Sequence, residues 1–553
     1  MTPFRRAATL FLVTLSILAA VPCFAQQDAP RVIQTVDQVF AAFDKPDSPG
    51  CALGVVRDGN FIYKKGYGTA SLELSVPLTP QSVFYMGSVS KQFTAASVVL
   101  AAEQGFLSLD DDIRKYVPEL PSYGKTITLR QMLHHTSGFR DILGLLFLAG
   151  RNFEDIHPTS ELLDLLSRQK ALNYQPGEEY LYSNTNYFLM SVVIPRATGK
   201  PLSQFAEENI FKPLGMTHTR FYDDHSVVVP GRVPAYEPRN DGGFRIDWST
   251  NFDKIGDGGL LSSVEDLLLW DRNFYDNKLG KGTLLKEMQT QGVLNNGKQI
   301  EYGLGLEIST YRGLPIVEHG GALFGYRTEL LRFPQQKFSV ITLCNLGTSS
   351  PGNLANQVAD IYLDGQFAVE PAIAAAAHVD PQPFAGWYRN LGSHSVVEIS
   401  TFEGDVVAFG QHFKPLAPAR FALRSGAELN FESRSGSAMR MTLTTKDSTP
   451  QIFDRYDPLK RSEEDFAPYI GEYSSTELQA TYRFAVKDDK LTLSSNWQEP
   501  AVLEPTIRDE FQGPLGTAIV FRRDPSGHVT GCDLFAGRVR NISFAKVIGT
   551  AVK

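Results

Sequence analysis

Nowhere in this sequence do basic residues gather into a stripe. Lys and Arg number 53 against 61 Asp and Glu, for a net charge of -8 over 553 residues. A protein that tracks a phosphate backbone needs a concentrated positive surface, so nucleic acid is not expected as a partner. Metal-ligand spacings are missing as well. There is no HExxH, and the adjacent His134-His135 would point in different directions, so neither a metal nor a cofactor is expected. Cysteine is scarce, with four residues in all. Only one apolar run has any length, at the N-terminus. Arg5 and Arg6 precede the apolar stretch Ala7 to Val21, Pro22 breaks it, and Ala25 ends a small-residue cleavage site. That pattern reads as a signal peptide over residues 1–25, because the run is short for a membrane span. The expected location is periplasmic or secreted, with no integral membrane segment after cleavage. The alternatives are an uncleaved anchor and a lipoprotein, the latter opposed by Pro22 directly before Cys23. Cleavage would remove Cys23 and leave Cys51, Cys344 and Cys532. These are too few and too widely spaced to suggest a disulfide framework, and Cys344 reads as a small hydrophobe in a buried strand.

What is present is an ordinary globular composition, 42% hydrophobic and 11% aromatic. A chain this long divides into several domains. Over residues 31–364 strands and helices mix. CALGVVRDGNFIYKKGYGTA reads as a hairpin turning at Asp58-Gly59. KQFTAASVVLAAEQG carries apolar residues at helical intervals and stops at Gly105. TSELLDLLSRQK is a helix with Thr159 or Ser160 as N-cap. SSVEDLLLWDRNFYDN opens with a capping box, either Ser262 with Glu265 or Ser263 with Asp266. GLGLEIST, IVEHGG, TELLRFP and FSVITLCNLG are neighbouring strands. Helices in the middle and strands at both ends argue for one α+β unit whose sheet joins its beginning to its end. Residues 365–383, alanine-rich between prolines, read as a linker. Beyond it, residues 384–458 and 467–553 are almost entirely strand-like. A weak repeat opens each segment, Phe384-Ala-Gly-Trp-Tyr388 and Tyr469-Ile-Gly-Glu-Tyr473. Two all-β modules, or one barrel made of two halves, fit this pattern.

Three short motifs carry chemistry. Ser88-Val-Ser-Lys91 sets a hydroxyl and an amine three residues apart at a helix start, on one helix face. A serine needs a base held against it, and lysine can be that base only if its pKa is lowered. The alternative is a serine N-cap and a lysine that snorkels to water. SxxK also occurs at Ser122, Ser167 and Ser543. Ser88 differs in setting, between a strand-like SVFYMG and an alanine-rich helix. Tyr182-Ser-Asn184 places a phenol where it could ionise beside an ammonium and pass a proton to a leaving group. Otherwise Asn184 caps a helix and Tyr182 packs in the core. His319-Gly320-Gly321, followed by Ala322, would let a substrate backbone approach closely and offer an N–H to a carbonyl oxygen. The other reading is a tight turn beside a buried histidine.

Together, FYMGSVSKQFTA, LHHTSG at 133–138, YSN at 182–184, PLGMTHT at 213–219, GGLLSSVEDL at 258–267 and HGG at 319–321 resemble the serine β-lactamase-like and penicillin-binding hydrolases. The class C β-lactamase and D-aminopeptidase branch is the nearest likeness. The resemblance implies Ser88 as nucleophile, with Lys91 and Tyr182 sharing its proton. Asn184 would bind the substrate amide or Lys91, and backbone N–H groups of Ser88 and Ala322 would form the oxyanion hole. It also implies lipocalin-like eight-stranded barrels after the catalytic domain, although these two segments read as short for full barrels. In the D-aminopeptidase arrangement a barrel loop reaches the cleft, but no residue of this tail is matched to that loop. The family's usual Lys-Thr-Gly is here His319-Gly320-Gly321, which resembles the D-aminopeptidase and esterase-like members.

The expected activity is hydrolysis, through an acyl-enzyme, of amide or ester bonds in D-amino-acid peptides or peptidoglycan-related fragments. Carboxylesterase, β-lactamase and a non-catalytic cell-wall-fragment binder are the alternatives. The sequence leaves the oligomeric state open. A fluorophosphonate probe is expected to label the mature protein and not its Ser88→Ala variant. Alanine at Ser122, Ser167 or Ser543 should leave labelling intact. Loss of labelling with Ser122→Ala alone would move the nucleophile elsewhere.

Overall fold

A computed structural model describes residues 29–247, 253–368, 379–423, 426–434, 439–445, 449–459, 463–495 and 498–547. The expected signal peptide and most of the expected linker lie outside the described residues.

Six strands make the central antiparallel sheet: β1 (Cys51–Arg57), β2 (Asn60–Tyr67), β3 (Glu307–Tyr311), β4 (Leu314–Leu323), β5 (Tyr326–Phe333) and β6 (Phe338–Cys344). Their order is β3-β4-β5-β6-β1-β2, so the end of the domain pairs with its beginning. The turn between β1 and β2 falls at Asp58-Gly59, both at positive φ, as a tight hairpin requires. Helices α1 (Ala29–Val39) and α6 (Pro351–Tyr362) cover one face, packing Val36, Phe40, Leu354 and Val358 on Leu53, Leu331 and Val340. On the other face lie α2 (Ser90–Glu103), α3 (Ile142–Leu148), α4 (Asn184–Thr198) and α5 (Val264–Asp276). Ser263 caps α5 through the Asp266 N–H, which is half of one expected capping box; the Asp266 carboxylate accepts instead from the His218 N–H and the Thr219 hydroxyl. The helix at Thr159–Ser167 starts behind Pro158 and has no side-chain cap, so neither Thr159 nor Ser160 plays that part.

The cysteine reading needs correction. Cys51 and Cys344 are disulfide-bonded. They stand opposite one another at the ends of β1 and β6, a partnership created by pairing strands 293 residues apart. Cys344 is buried in a strand as expected, but as half of a bridge, while Cys532 is free and buried.

The tail forms two closed barrels of eight strands each, between Gly386 and Tyr456 and between Gly471 and Lys546. The segments are long enough because strands of three to eight residues, each joined to the next in sequence, suffice to close the rings. The weak repeat has a structural counterpart. Tyr388 donates its hydroxyl to the Phe384 carbonyl, and Tyr473 donates to that of Tyr469, so the same closure opens each barrel.

The second barrel docks on the catalytic domain. Arg140, two residues after the LHHTSG motif, is buried and pairs at 2.6 Å with buried Glu477. It also donates to the carbonyls of Arg540 and Asn541. Tyr482 donates to the Leu148 carbonyl at the end of α3. These bonds bring the last barrel hairpin, β7 (Val529–Ala536) and β8 (Val539–Lys546), to the mouth of the catalytic cleft.

Reduction, or a Cys51→Ala/Cys344→Ala double replacement, is expected to lower the stability of the catalytic domain by about 2–4 kcal/mol, the usual worth of a bridge closing a long loop. Thermal melts with and without reductant would measure it. Identical melts would show that the bridge contributes nothing.

Candidate active site

Ser88 sits in one 3₁₀ turn, Gly87–Val89, between a short strand at Phe84–Tyr85 and α2. Gly87 has φ +52°, and a Cβ there would lie 2.6 Å from the Ala322 nitrogen on β4. Gly321 meets the same turn from the other side, since a Cβ on it would lie 2.1 Å from the Met86 carbonyl oxygen. Only glycine at both places lets β4 close on the serine turn.

One turn further along α2, Lys91 is wholly buried, which excludes the snorkelling alternative. Its Nζ lies 3.1 Å from Ser88 Oγ, 2.9 Å from Asn184 Oδ1 and 2.6 Å from the Asp257 carbonyl oxygen. Burial lowers its pKa to about 7, with Lys254 and Arg538 pushing the same way and Asp257 and Asp141 opposing. A neutral amine has two protons and one lone pair. Asn184 and the Asp257 carbonyl can take both protons, which leaves the lone pair for Ser88.

Asn184 does not act as a helix cap. It is the first residue of α4, and its side chain bridges Lys91 to Asp141, whose Oδ2 accepts from Asn184 Nδ2 and N. The other oxygen of Asp141 caps α3. Asp141 was not marked by the sequence, because an Asp before an apolar run signals only an N-cap.

The Tyr182 ring lies 4.8 Å below Lys91 Nζ and packs on His135 with ring centroids 4.2 Å apart and the planes tilted by 33°. Its hydroxyl is buried and has no hydrogen-bond partner among the described residues, although Ser88 is near enough to ease its ionisation. Burial dominates and holds the phenol well above its ordinary pKa. The expectation that a neighbouring ammonium would promote ionisation is therefore reversed, because desolvation outweighs that attraction.

His319 is also buried. Nδ1 lies 2.7 Å from the Gly320 carbonyl oxygen and Nε2 3.0 Å from the hydroxyl of Tyr302. Burial and Lys91 push its pKa down to about 3, so it is neutral at any pH near 7. Tyr302 was missed by the sequence reading, since it lies in a loop without a motif.

A cavity of about 750 Å³ joins these groups and is lined by Ser88, Tyr182, Asn184, His319, Gly320, Gly321 and Ala322. Ser122, Ser167 and Ser543 do not line it. Arg538 does, from the turn between β7 and β8, with its guanidinium 4.6 Å above the Tyr182 ring. The tail thus supplies a residue to the cleft after all. The sequence showed only a hairpin, and where a hairpin points depends on docking.

Residues 36–363 match the family described as Beta-lactamase. A D-aminopeptidase of Gluconobacter oxydans is 29% identical over 304 residues, 54% of this chain and 56% of that protein, so the alignment spans little more than half of that relative's length. A D-aminopeptidase of Brucella anthropi is 25% identical over 524 residues, covering 90% of this chain and 95% of its own. Among solved structures, an octameric penicillin-binding protein homologue from Pyrococcus abyssi superposes with a TM-score of 0.54 at 20% identity. It covers 86% of this chain and 99% of that one, a likeness of fold.

The lowered Lys91 pKa sets a pH profile. Nζ can take the Ser88 proton only when unprotonated, a fraction that grows above its pKa. Labelling by a fluorophosphonate is therefore expected to rise through pH about 7 and flatten above it. Lys91→Met should slow labelling by about 100-fold or more. A flat profile, or one falling across pH 7, would assign the proton to another group.

Proposed function

This chain belongs to the beta-lactamase family, and from that premise we propose that it is an exported serine hydrolase of the D-aminopeptidase-like branch, cleaving amide or ester bonds through an acyl-enzyme on Ser88. The observation that carries this reading is the buried Lys91 amine, whose two protons have acceptors and whose lone pair is left to Ser88. Lys91 takes the hydroxyl proton as Ser88 Oγ attacks the carbonyl carbon. The N–H groups of Ser88 and Ala322 hold the developing oxyanion, a role supported by the close approach of Gly87 to the Ala322 nitrogen. Tyr182, kept as a neutral phenol, donates its proton to the departing nitrogen or oxygen and is reprotonated from Lys91. Water then attacks the acyl-enzyme with the same groups working in reverse.

Relatives over 90% of the chain are called D-aminopeptidases, which supports peptides or amides with an N-terminal D-residue as substrates. A disulfide fits an oxidising compartment, which supports export. Neutral His319 supports substrates with no free carboxylate beside the scissile bond, because it supplies no cation to hold one. Turnover of D- over L-amino-acid amides, set beside p-nitrophenyl esters, tests the substrate class. Preference for esters with no amide turnover would favour an esterase.

His319→Lys is expected to raise relative kcat/KM for carboxylate-bearing substrates over their neutral amides at least several-fold. One charge-assisted contact is worth roughly 1.5–3 kcal/mol. A wild-type preference for the free acid at pH 8 would show that another residue holds the carboxylate.

A further inference from the structure

The cavity beside Ser88 continues beyond the reacting atoms. Its lining takes in His319 and Gly320 of β4 and, as a further arm, Ser349 to Gly352, where α6 begins. Glu307, Glu318 and Glu329 line this arm. Strand register gathers them. Glu307 pairs with Glu318 across β3 and β4, and Gly320, on the same face as Glu318, pairs with Glu329 on β5.

Glu329 is 8% exposed. Its Oε1 is buried and takes no hydrogen bond among the described residues, although the first turn of α6 lies close by. Burial, with Glu318 and Glu307 beside it, raises its pKa well above the ordinary range. Arg327, on the same strand, donates to the Phe324 and Tyr326 carbonyls instead. Burial and the neighbouring carboxylates thus favour the protonated acid, against a hydrogen bond from the Leu330 backbone, and a cation placed beside it would favour the carboxylate.

The proton path gives this arm a direction. A leaving group that takes its proton from Tyr182 lies on that residue's side of Ser88. Tyr182 packs toward His319, with ring centroids 6.2 Å apart, and the acidic arm continues from His319. We propose that the arm is a leaving-group subsite for a cationic side chain, an ammonium or guanidinium on the residue that follows the scissile bond. This rests on the assignment of Ser88 and Tyr182 above.

The test compares binding of D-alanyl-L-lysinamide and D-alanyl-L-norleucinamide to the Ser88→Ala protein by calorimetry. The two peptides share their N-terminal ammonium. The lysine peptide is expected to bind about ten-fold more tightly, the order of one charge-assisted contact. That ratio should fall toward one with Glu329→Gln. Glu318→Gln, at a half-buried position, gives the same reading if Glu329→Gln fails to fold. Equal affinities, no binding of either peptide, or a ratio untouched by both substitutions would overturn the proposal. Hydrolysis of p-nitrophenyl acetate by the wild type reports the Ser88 reading separately. Ester hydrolysis with equal affinities would sink only the cation subsite. A lysine preference without Ser88-dependent hydrolysis would sink the enzyme reading and the leaving-group label, and keep the cation site.

Discussion

An ammonium group buried without a close anionic partner costs several kcal/mol, and Lys91 is wholly buried in α2 with carbonyl oxygens as its main partners. Its lowered pKa relieves that penalty by allowing the charge to leave. The same constraint orders the groups around it. Asn184 must turn inward to accept a hydrogen bond from Lys91, so it cannot cap its helix. Asp141 then holds Asn184 while capping α3. Tyr182 and His135 close the floor as tilted, packed rings, and both stay neutral because the same dry environment penalises charge on each.

Dryness at the reacting atoms is partly the work of the second barrel. Arg538 covers the Tyr182 ring, and it is brought there by the buried Arg140–Glu477 pair together with the main-chain bonds around it. Removing one member of such a pair usually costs more than the pair contributes, because the other is left charged and buried. The barrel is therefore tied to the cleft by an interaction that tolerates little change. The guanidinium it contributes also helps keep Lys91 deprotonated.

Charge along the cavity is uneven. Arg538 stands over Tyr182, while Glu307, Glu318 and Glu329 collect where β3 begins and β4 runs on beyond it. Neutral His319 lies between them. This polarity supports the proposed preference for substrates without a carboxylate beside the leaving group.

Local chemistry made much of this legible in the sequence. The helix behind Ser88 followed from apolar spacing and the stop at Gly105, the β1–β2 hairpin from Asp58-Gly59, and the all-β tail from its strand pattern. The motif residues that line the cleft carry reactive side chains in short local arrangements, which a sequence displays directly. Tertiary structure decided what depends on distant segments meeting. The Cys51–Cys344 bridge needs β1 beside β6, and the acidic arm needs the register of three strands. Arg538, more than 300 residues beyond Tyr182, reaches the cleft only through docking of its barrel. Protonation states belong to the same class, since the burial that holds Lys91 near neutrality and Tyr182 as a phenol is a property of the packed interior and not of any one segment.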